Sequence, residues 1–228
     1  MAQQLILDLL PAPPPSLDNF VPGRNAAALD ALRQCTGGRA IYLWGPQGVG
    51  RSHLLRAACH LADGVYHAAG DPAAFLHALA TGDTLATRLV AVDDVQALSA
   101  KGQAALFALY NRWRESASTR QAFALVVAGD HAPVAMEVRE DLRTRLGWDL
   151  VFRLEQLSDE ERARALQSHA SQRGLELSSE VVSWLLTHHE RDMSRLTALV
   201  DALDRYSLAR HRAITLPLLK DLLASHQP

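Results

Sequence analysis

Eight residues have the types and order needed to hold a phosphate chain: Gly45-Pro46-Gln47-Gly48-Val49-Gly50-Arg51-Ser52. Glycines let successive backbone N–H groups curl around phosphate oxygens, and a helix opening at the end of the run adds a favourable dipole. Such a loop needs a strand before it and a helix after it. The apolar run Ala40–Trp44 and the amphipathic segment from Ser52 supply both. Where a lysine usually reaches the phosphates, this chain has Arg51, which keeps the charge but replaces a compact ammonium with a planar fork.

A second group completes the chemistry. Leu89-Val90-Ala91-Val92-Asp93-Asp94 reads as a buried strand that delivers two carboxylates to a sheet edge. Asp93 could hold Mg2+ beside the Ser52 hydroxyl, and Asp94 stands where a carboxylate would orient an attacking water. Alone, a strand ending in Asp is an ordinary turn former. Paired with the phosphate loop it implies a nucleotide, ADP or ATP, with Mg2+. Gly129-Asp130, after a later strand, is open to the same two readings. His188-His189-Glu190 lacks the two-His helical spacing of a zinc site and reads as solvated residues near a helix end. Trp44 and Trp148 border the presumed site and read as packing.

These residues must be held by β-α units. Strand patterns fall at Ala40–Trp44, Val65–Ala68, Leu89–Asp93, Phe123–Ala128 and Leu150–Leu154, with helices starting near Ser52, Pro72, Gly102 and Val134. The second of these helices carries Asp71 as N-cap and Pro72 at its first position. Short buried strands separated by helices imply a parallel sheet covered on both faces. After Leu157 the strand signals stop. Ser158 with Glu161 forms a capping box, Gly174 supplies a left-handed stop, and further helices start near Ser178, Asp192 and Thr215.

Several runs resemble the DnaA branch of the AAA+ proteins: Leu17-Asp18-Asn19-Phe20-Val21-Pro22-Gly23-Arg24-Asn25, Gly50-Arg51-Ser52-His53-Leu54-Leu55, Asp93-Asp94-Val95-Gln96, Leu109-Tyr110-Asn111-Arg112 and Leu157-Ser158-Asp159-Glu160. The likeness covers nearly the whole chain. It implies an α/β fold, the AAA+ P-loop NTPase parallel sheet with helices on both faces, plus a C-terminal all-helical lid. The corresponding division is residues 1–15 as peptide and tether, 16–157 as nucleotide-binding domain and 158–228 as lid. The resemblance further implies nucleotide contacts at Phe20, Val21, Asn25, Gly45, Pro46, Gln47, Gly48, Val49, Gly50, Arg51, Ser52, His53, Asp93 and Asp94, with Asp130 where the family senses the γ-phosphate.

Asp141-Leu142-Arg143-Thr144-Arg145-Leu146-Gly147-Trp148 resembles the segment that carries the family's arginine finger, and the match falls on Arg145. In the lid, the family's nucleotide-contacting arginine aligns with Ser194, one residue before Arg195. A shift of one residue turns a helical side chain by about 100°, so Arg195 either reaches nucleotide from a neighbouring direction or makes no such contact.

Gln4-Leu5-Ile6-Leu7-Asp8-Leu9 resembles the sliding-clamp peptide of the family members that inactivate DnaA. Gln4 would fill a polar subsite and Leu5, Leu7 and Leu9 an apolar one, on the DNA polymerase III β clamp loaded on DNA. The prolines from Pro11 to Pro15 read as a stiff extended tether behind it. DnaA continues past its lid into a DNA-binding domain, whereas this chain ends at Pro228. The resemblance therefore implies an adaptor that stimulates ATP hydrolysis by DnaA, as against a self-sufficient ATPase of helicase-loader or transposition-helper type. It leaves homodimers or higher oligomers open.

Composition fits this picture. A net charge of -2, with 48% hydrophobic and 21% charged residues, gives no global reason for intrinsic sequence-specific DNA binding. Cys35 and Cys59 lack metal spacing and read as reduced core residues. No secretion signal and no run of roughly 18 apolar residues stands in the chain, so a cytoplasmic location without membrane contact is expected.

Overall fold

The computed structural model describes residues 14–83, 85–189 and 192–224. The clamp-peptide candidates Gln4, Leu5, Leu7 and Leu9 lie outside the described residues. Two compact units are formed, one by residues 15–156 and the other by the chain from Leu157 onward.

The first unit is built on five strands: β1 (Ala40–Trp44), β2 (Val65–His67), β3 (Leu89–Val92), β4 (Ala124–Gly129) and β5 (Leu150–Arg153). Their order is β2-β3-β4-β1-β5, and every neighbouring pair is parallel. α1 (Ala26–Arg33) precedes β1, and the crossover connections that parallel neighbours require carry α2 (Arg51–Ala62), α3 (Ala73–Thr81), α4 (Ala100–Ser116) and α5 (Glu140–Leu146). Side chains alternate across the sheet. Tyr42, Val90, Val92, Leu125 and Val127 pack with Leu76, Leu106, Leu109 and Leu142 from α3, α4 and α5. Ile41, Leu43, Ala91, Val126 and Ala128 pack with Leu29, Leu32, Leu54 and Leu55 from α1 and α2. Both faces are covered, which is why the strands read as unbroken apolar runs.

Most expected elements shift by a residue or two at their ends, α1 was not expected, and two further differences have a definite cause. Pro72 is the N-cap of α3, not its first residue, with extended backbone (φ -58°, ψ 126°). Asp71 does not cap the helix; its carboxylate accepts a hydrogen bond from the Ala68 N–H at 2.8 Å and closes the preceding turn. The helix expected near Val134 is a single 3-10 turn, Pro133–Ala135. Met136 leaves it in an extended conformation, and Met136 and Val138 are drawn into the core before α5 begins.

The second unit contains α6 (Asp159–Ser171), α7 (Ser179–His188), α8 (Met193–Arg210) and α9 (Leu216–Ala224). The capping box is present: Ser158 Oγ accepts from Glu161 N at 3.1 Å and Glu161 Oε2 accepts from Ser158 N at 2.7 Å. Gly174 turns the chain with φ 73° after α6. Leu166, Val182, Leu185, Leu196, Val200, Leu203, Leu218 and Leu222 form its apolar core. Buried Asp201 on α8 is met by His169 at 2.6 Å and Arg173 at 3.0 Å, so its charge is paired. Among the described residues, no helix is long and apolar enough to cross a membrane.

Candidate functional site

Strand order decides what meets at the carboxyl edge of the sheet. β1 lies beside β4 and β4 beside β3, with Trp44 level with Gly129 and Val92 level with Val127. The loops after β1, β3 and β4 therefore adjoin, at the kind of edge where open parallel sheets bind ligands.

The Gly45–Ser52 loop turns on residues with positive φ, Gly48 at 82° and Gly50 at 93°. A side chain at Gly50 would meet the Phe20 ring at 2.6 Å, whereas one at Gly48 would meet nothing within 4 Å. Gly50 is also the N-cap of α2 and offers no capping side chain. The N-terminus of a 12-residue helix thus carries no side-chain cap and presents its dipole to the loop. Pro46, Gln47 and Gly48 are exposed, Val49 is buried as the loop's anchor, and Gln47 is tied through its carbonyl to Gln156 Nε2 at 3.2 Å.

Arg51 does not extend from the loop. One NH group donates to the Gly45 carbonyl at 2.8 Å, and the other donates to Asp94 Oδ1 at 3.1 Å. The Arg51 side chain is 10% exposed and that of Asp94 42%, so the pair is shielded from water on the arginine side only. Gln96 continues the network: its Nε2 donates to Asp94 Oδ1 at 3.0 Å and its Oε1 accepts from Asp130 N at 3.3 Å. The three loops are therefore connected in the order Gly45, Arg51, Asp94, Gln96, Asp130. Asp130 is also paired with His131 at 2.9 Å. Tyr42, below this network, donates to the His131 carbonyl at 2.8 Å, and burial with Asp130 nearby pushes its hydroxyl pKa up.

Asp93 is 2% exposed. Its Oδ1 accepts from the Asp94 N–H at 2.9 Å and its Oδ2 from the Tyr66 hydroxyl at 2.7 Å. Burial and this carboxylate push the Tyr66 pKa up to about 12. Each carboxylate oxygen still has accepting capacity, so Asp93 could serve as a ligand to Mg2+. Ser52, half-buried in the first turn of α2, is the hydroxyl available to the same ion. Among the described residues no cluster of three or more His, Cys, Asp or Glu could hold a metal unaided.

The adenine-side candidates have mixed positions. Phe20 lies against Gly50 and 5.6 Å from the His53 ring, so it borders the loop. Val21 beside it is half-buried. Buried Asn25 binds the Glu155 backbone with both amide atoms, donating to its carbonyl at 2.9 Å and accepting from its N–H at 2.8 Å. His53 Nε2 engages the Ser16 carbonyl at 3.0 Å. Asn25 and His53 thus hold the segments that frame the loop. Arg195 lies in the first turn of α8 in the other unit, its backbone N–H capped by Asp192 Oδ1 at 3.0 Å.

Arg145, near the end of α5, is half-buried. Its Nε and one NH group donate to Asn111 Oδ1 at 3.2 and 2.9 Å, and the other NH group donates to the Asp141 carbonyl at 2.9 Å. The guanidinium lies 3.8 Å from the Phe107 ring centroid and 4.7 Å from that of Trp148. Arg143 instead turns back to the Val138 carbonyl at 3.2 Å. Tyr66, Gln96, Phe107 and Asn111 were not among the sequence candidates. Gln96 and Asn111 stand inside the family-like runs, whereas nothing local marks Tyr66 or Phe107.

A five-stranded parallel sheet in this order, with a glycine loop after β1, acidic residues after β3 and a separate helical unit, defines an AAA+ P-loop module with a lid. Comparisons agree. Domain III of the Thermotoga maritima replication initiation protein DnaA matches with a TM-score of 0.69 and 22% identity, over 94% of this chain and 98% of that one. AMPPCP-bound DnaA from Aquifex aeolicus matches with 0.64 and 23%, over 84% and 65%. A Thermotoga maritima RuvB mutant matches with 0.65 and 16%, over 93% and 73%. At these identities the solved structures establish the fold. The family model described as "Hda, lid domain" matches residues 159–223. The Hda likeness is thus carried by the lid residues 159–223, while the chain as a whole shares the AAA+ fold of the DnaA and RuvB structures.

Proposed function

We propose that this protein regulates the initiation of bacterial chromosome replication as an adenine-nucleotide-bound adaptor that promotes ATP hydrolysis by DnaA in trans. The observation that carries the reading is the Arg51–Asp94 pair. The carboxylate that would orient a hydrolytic water is held by an arginine at 3.1 Å and by Gln96 at 3.0 Å. A site so occupied suits binding more than rapid turnover, while Arg145 remains available as a cation for another subunit's nucleotide.

In this reading the loop from Gly45 to Ser52 and the first turn of α2 bind the phosphates. Ser52 and Asp93 would hold Mg2+, which would neutralise phosphate charge. Phe20 and Val21 border the base, Asn25 and His53 brace their segments, and Asp130 and Arg195 are further nucleotide contacts. The Hda-type lid and the AMPPCP named with the Aquifex DnaA structure support adenine nucleotide as ligand. Gln4, Leu5, Leu7 and Leu9 dock on the β sliding clamp loaded on DNA, and Arg145 enters the ATP site of DnaA, where such an arginine contributes about 10³ to 10⁵ in rate. DnaA-ADP results. Homodimers through the same face are compatible with this arrangement, and the cytoplasm is where these partners meet.

The test is steady-state ATP hydrolysis by DnaA with DNA-loaded clamp. Wild type accelerates it, Arg145→Ala does not although it still binds clamp, and a Leu5→Ala, Leu7→Ala, Leu9→Ala variant fails through loss of clamp binding. Equal acceleration by wild type and Arg145→Ala would remove the proposal. Rapid hydrolysis by this protein alone, with no effect on DnaA, would instead indicate a self-sufficient ATPase.

A further inference from the structure

Arg145 sits in an alternating column of cations and rings. Arg139 lies 5.6 Å from the Phe107 centroid, Arg145 lies over Phe107 and Trp148, and Arg114 lies 4.7 Å from the Trp148 centroid. Arg139 is paired with Asp141 at 2.7 Å, whereas Arg114 has no ion pair among the described residues. Three guanidinium groups thus share two aromatic rings, and only one is neutralised nearby.

We infer that Trp148, loaded by Arg114, is the positioning residue that sets the plane of the Arg145 guanidinium. Three features make its ring a fixed support. The Trp148 N–H bonds back to the Arg145 carbonyl at 3.1 Å, which folds the residue over the last turn of α5. The ring then meets buried Tyr110 edge-on, at 6.4 Å and 87°. Tyr110 is itself braced edge-on by Trp113 at 6.3 Å and 82°. Support therefore runs from the core of the first unit to the face of Trp148.

Arginine has five N–H donors in one plane, and here three are committed, to Asn111 and the Asp141 carbonyl. Those bonds fix the distance of the group from α4 and α5 but allow it to hinge about their line. Stacking on a ring removes that hinge, because a planar cation held face-on has lost its tilt. Arg114 opposes deeper stacking, since like charges over one ring repel. Arg145 is thereby held in one orientation, with three of its five N–H donors committed and the others in the same plane.

The inference rests on Arg145 acting on DnaA, so two independent readings are needed. In the isolated protein, the Arg145 Nε–H resonance in a ¹H,¹⁵N spectrum, assigned with Arg145→Ala, moves and exchanges faster with water in Trp148→Leu but stays near its position in Trp148→Phe. In the DnaA assay with loaded clamp, Trp148→Leu lowers maximal stimulation by about 3- to 30-fold, the range a lost cation–π contact corresponds to, while half-saturation is unchanged. Trp148→Phe restores most of it. An Nε–H resonance that is identical in wild type and Trp148→Leu overturns the positioning role, whatever DnaA does. A loss confined to half-saturation also overturns it, because Trp148 would then be a docking contact. If Arg145→Ala itself stimulates normally, the trans mechanism fails, and the resonance still decides for or against the role of Trp148.

Discussion

At the scale of single residues, the site is organised by side chains whose polar atoms are already paired. Asn25 shows how much depends on one of them. Its amide meets both the N–H and the carbonyl of Glu155, at a position 4% exposed. Asn25→Ala would leave both backbone groups without that partner, and a buried unpaired group costs about 1–3 kcal/mol. We expect a fall of that size in unfolding free energy by urea titration, with weaker binding of a fluorescent adenine nucleotide, because Phe20 and Gly50 are framed by the same segment. Unchanged stability would mean that Asn25 faces a ligand and does not brace the fold. The glycine loop, Arg51 and the Asp93-Asp94 pair were legible from sequence because their chemistry depends on residue type and local spacing. Tyr66 was not: its hydroxyl acquires its meaning only when β2 and β3 become neighbours and Asp93 lies 2.7 Å away.

At the scale of elements, caps and apolar periodicity located most helices and all five strands, since both act over a few residues. The expected helix near Val134 failed for a non-local reason. Met136 and Val138 are claimed by the core, and that burial outweighs helical continuity. His67, the last residue of β2, carries a testable consequence. It is fully buried, neither ring nitrogen has a hydrogen-bond partner among the described residues, and it stacks on Phe75. Burial lowers its pKa from 6.5, with Asp71 pulling weakly the other way.

The native state therefore takes up this proton less readily than the unfolded chain does. Its contribution to stability is intact above pH 6.5 and is lost as pH falls through the window beneath. His67→Leu, which keeps the volume and removes the titration, should melt higher and with a shallower decline below pH 6.5. The slope should be reduced and not abolished, because burial lowers His189 in the second unit as well. An unaltered slope in His67→Leu would assign the acid sensitivity elsewhere. Cys35 and Cys59, both unpaired, have thiol pKa values pushed up by burial to about 11 and about 12, so they are poor nucleophiles at neutral pH.

At the scale of the whole molecule, an AAA+ body and an Hda-type lid were both readable in advance, because alternating strands and helices followed by helices alone permit few architectures. The state of Arg145 was not readable. Sequence resemblance marked it as a finger, but its hold by Asn111, Phe107 and Trp148 depends on α4 and α5 packing together. Nor could spacing show that Arg51 would turn back to Asp94. On the function proposed above, the Arg51–Asp94 pair slows turnover in the protein's own site and Arg145 acts on a partner.

The most direct test follows the label. DnaA is preloaded with radiolabelled ATP, freed of excess nucleotide, and mixed with DNA-loaded clamp and unlabelled ADP-bound wild-type protein or its Arg145→Ala variant. Catalysis in trans predicts that the label on DnaA becomes ADP much faster with wild type than with the variant. Conversion at the same rate with either protein, or with neither, would contradict it.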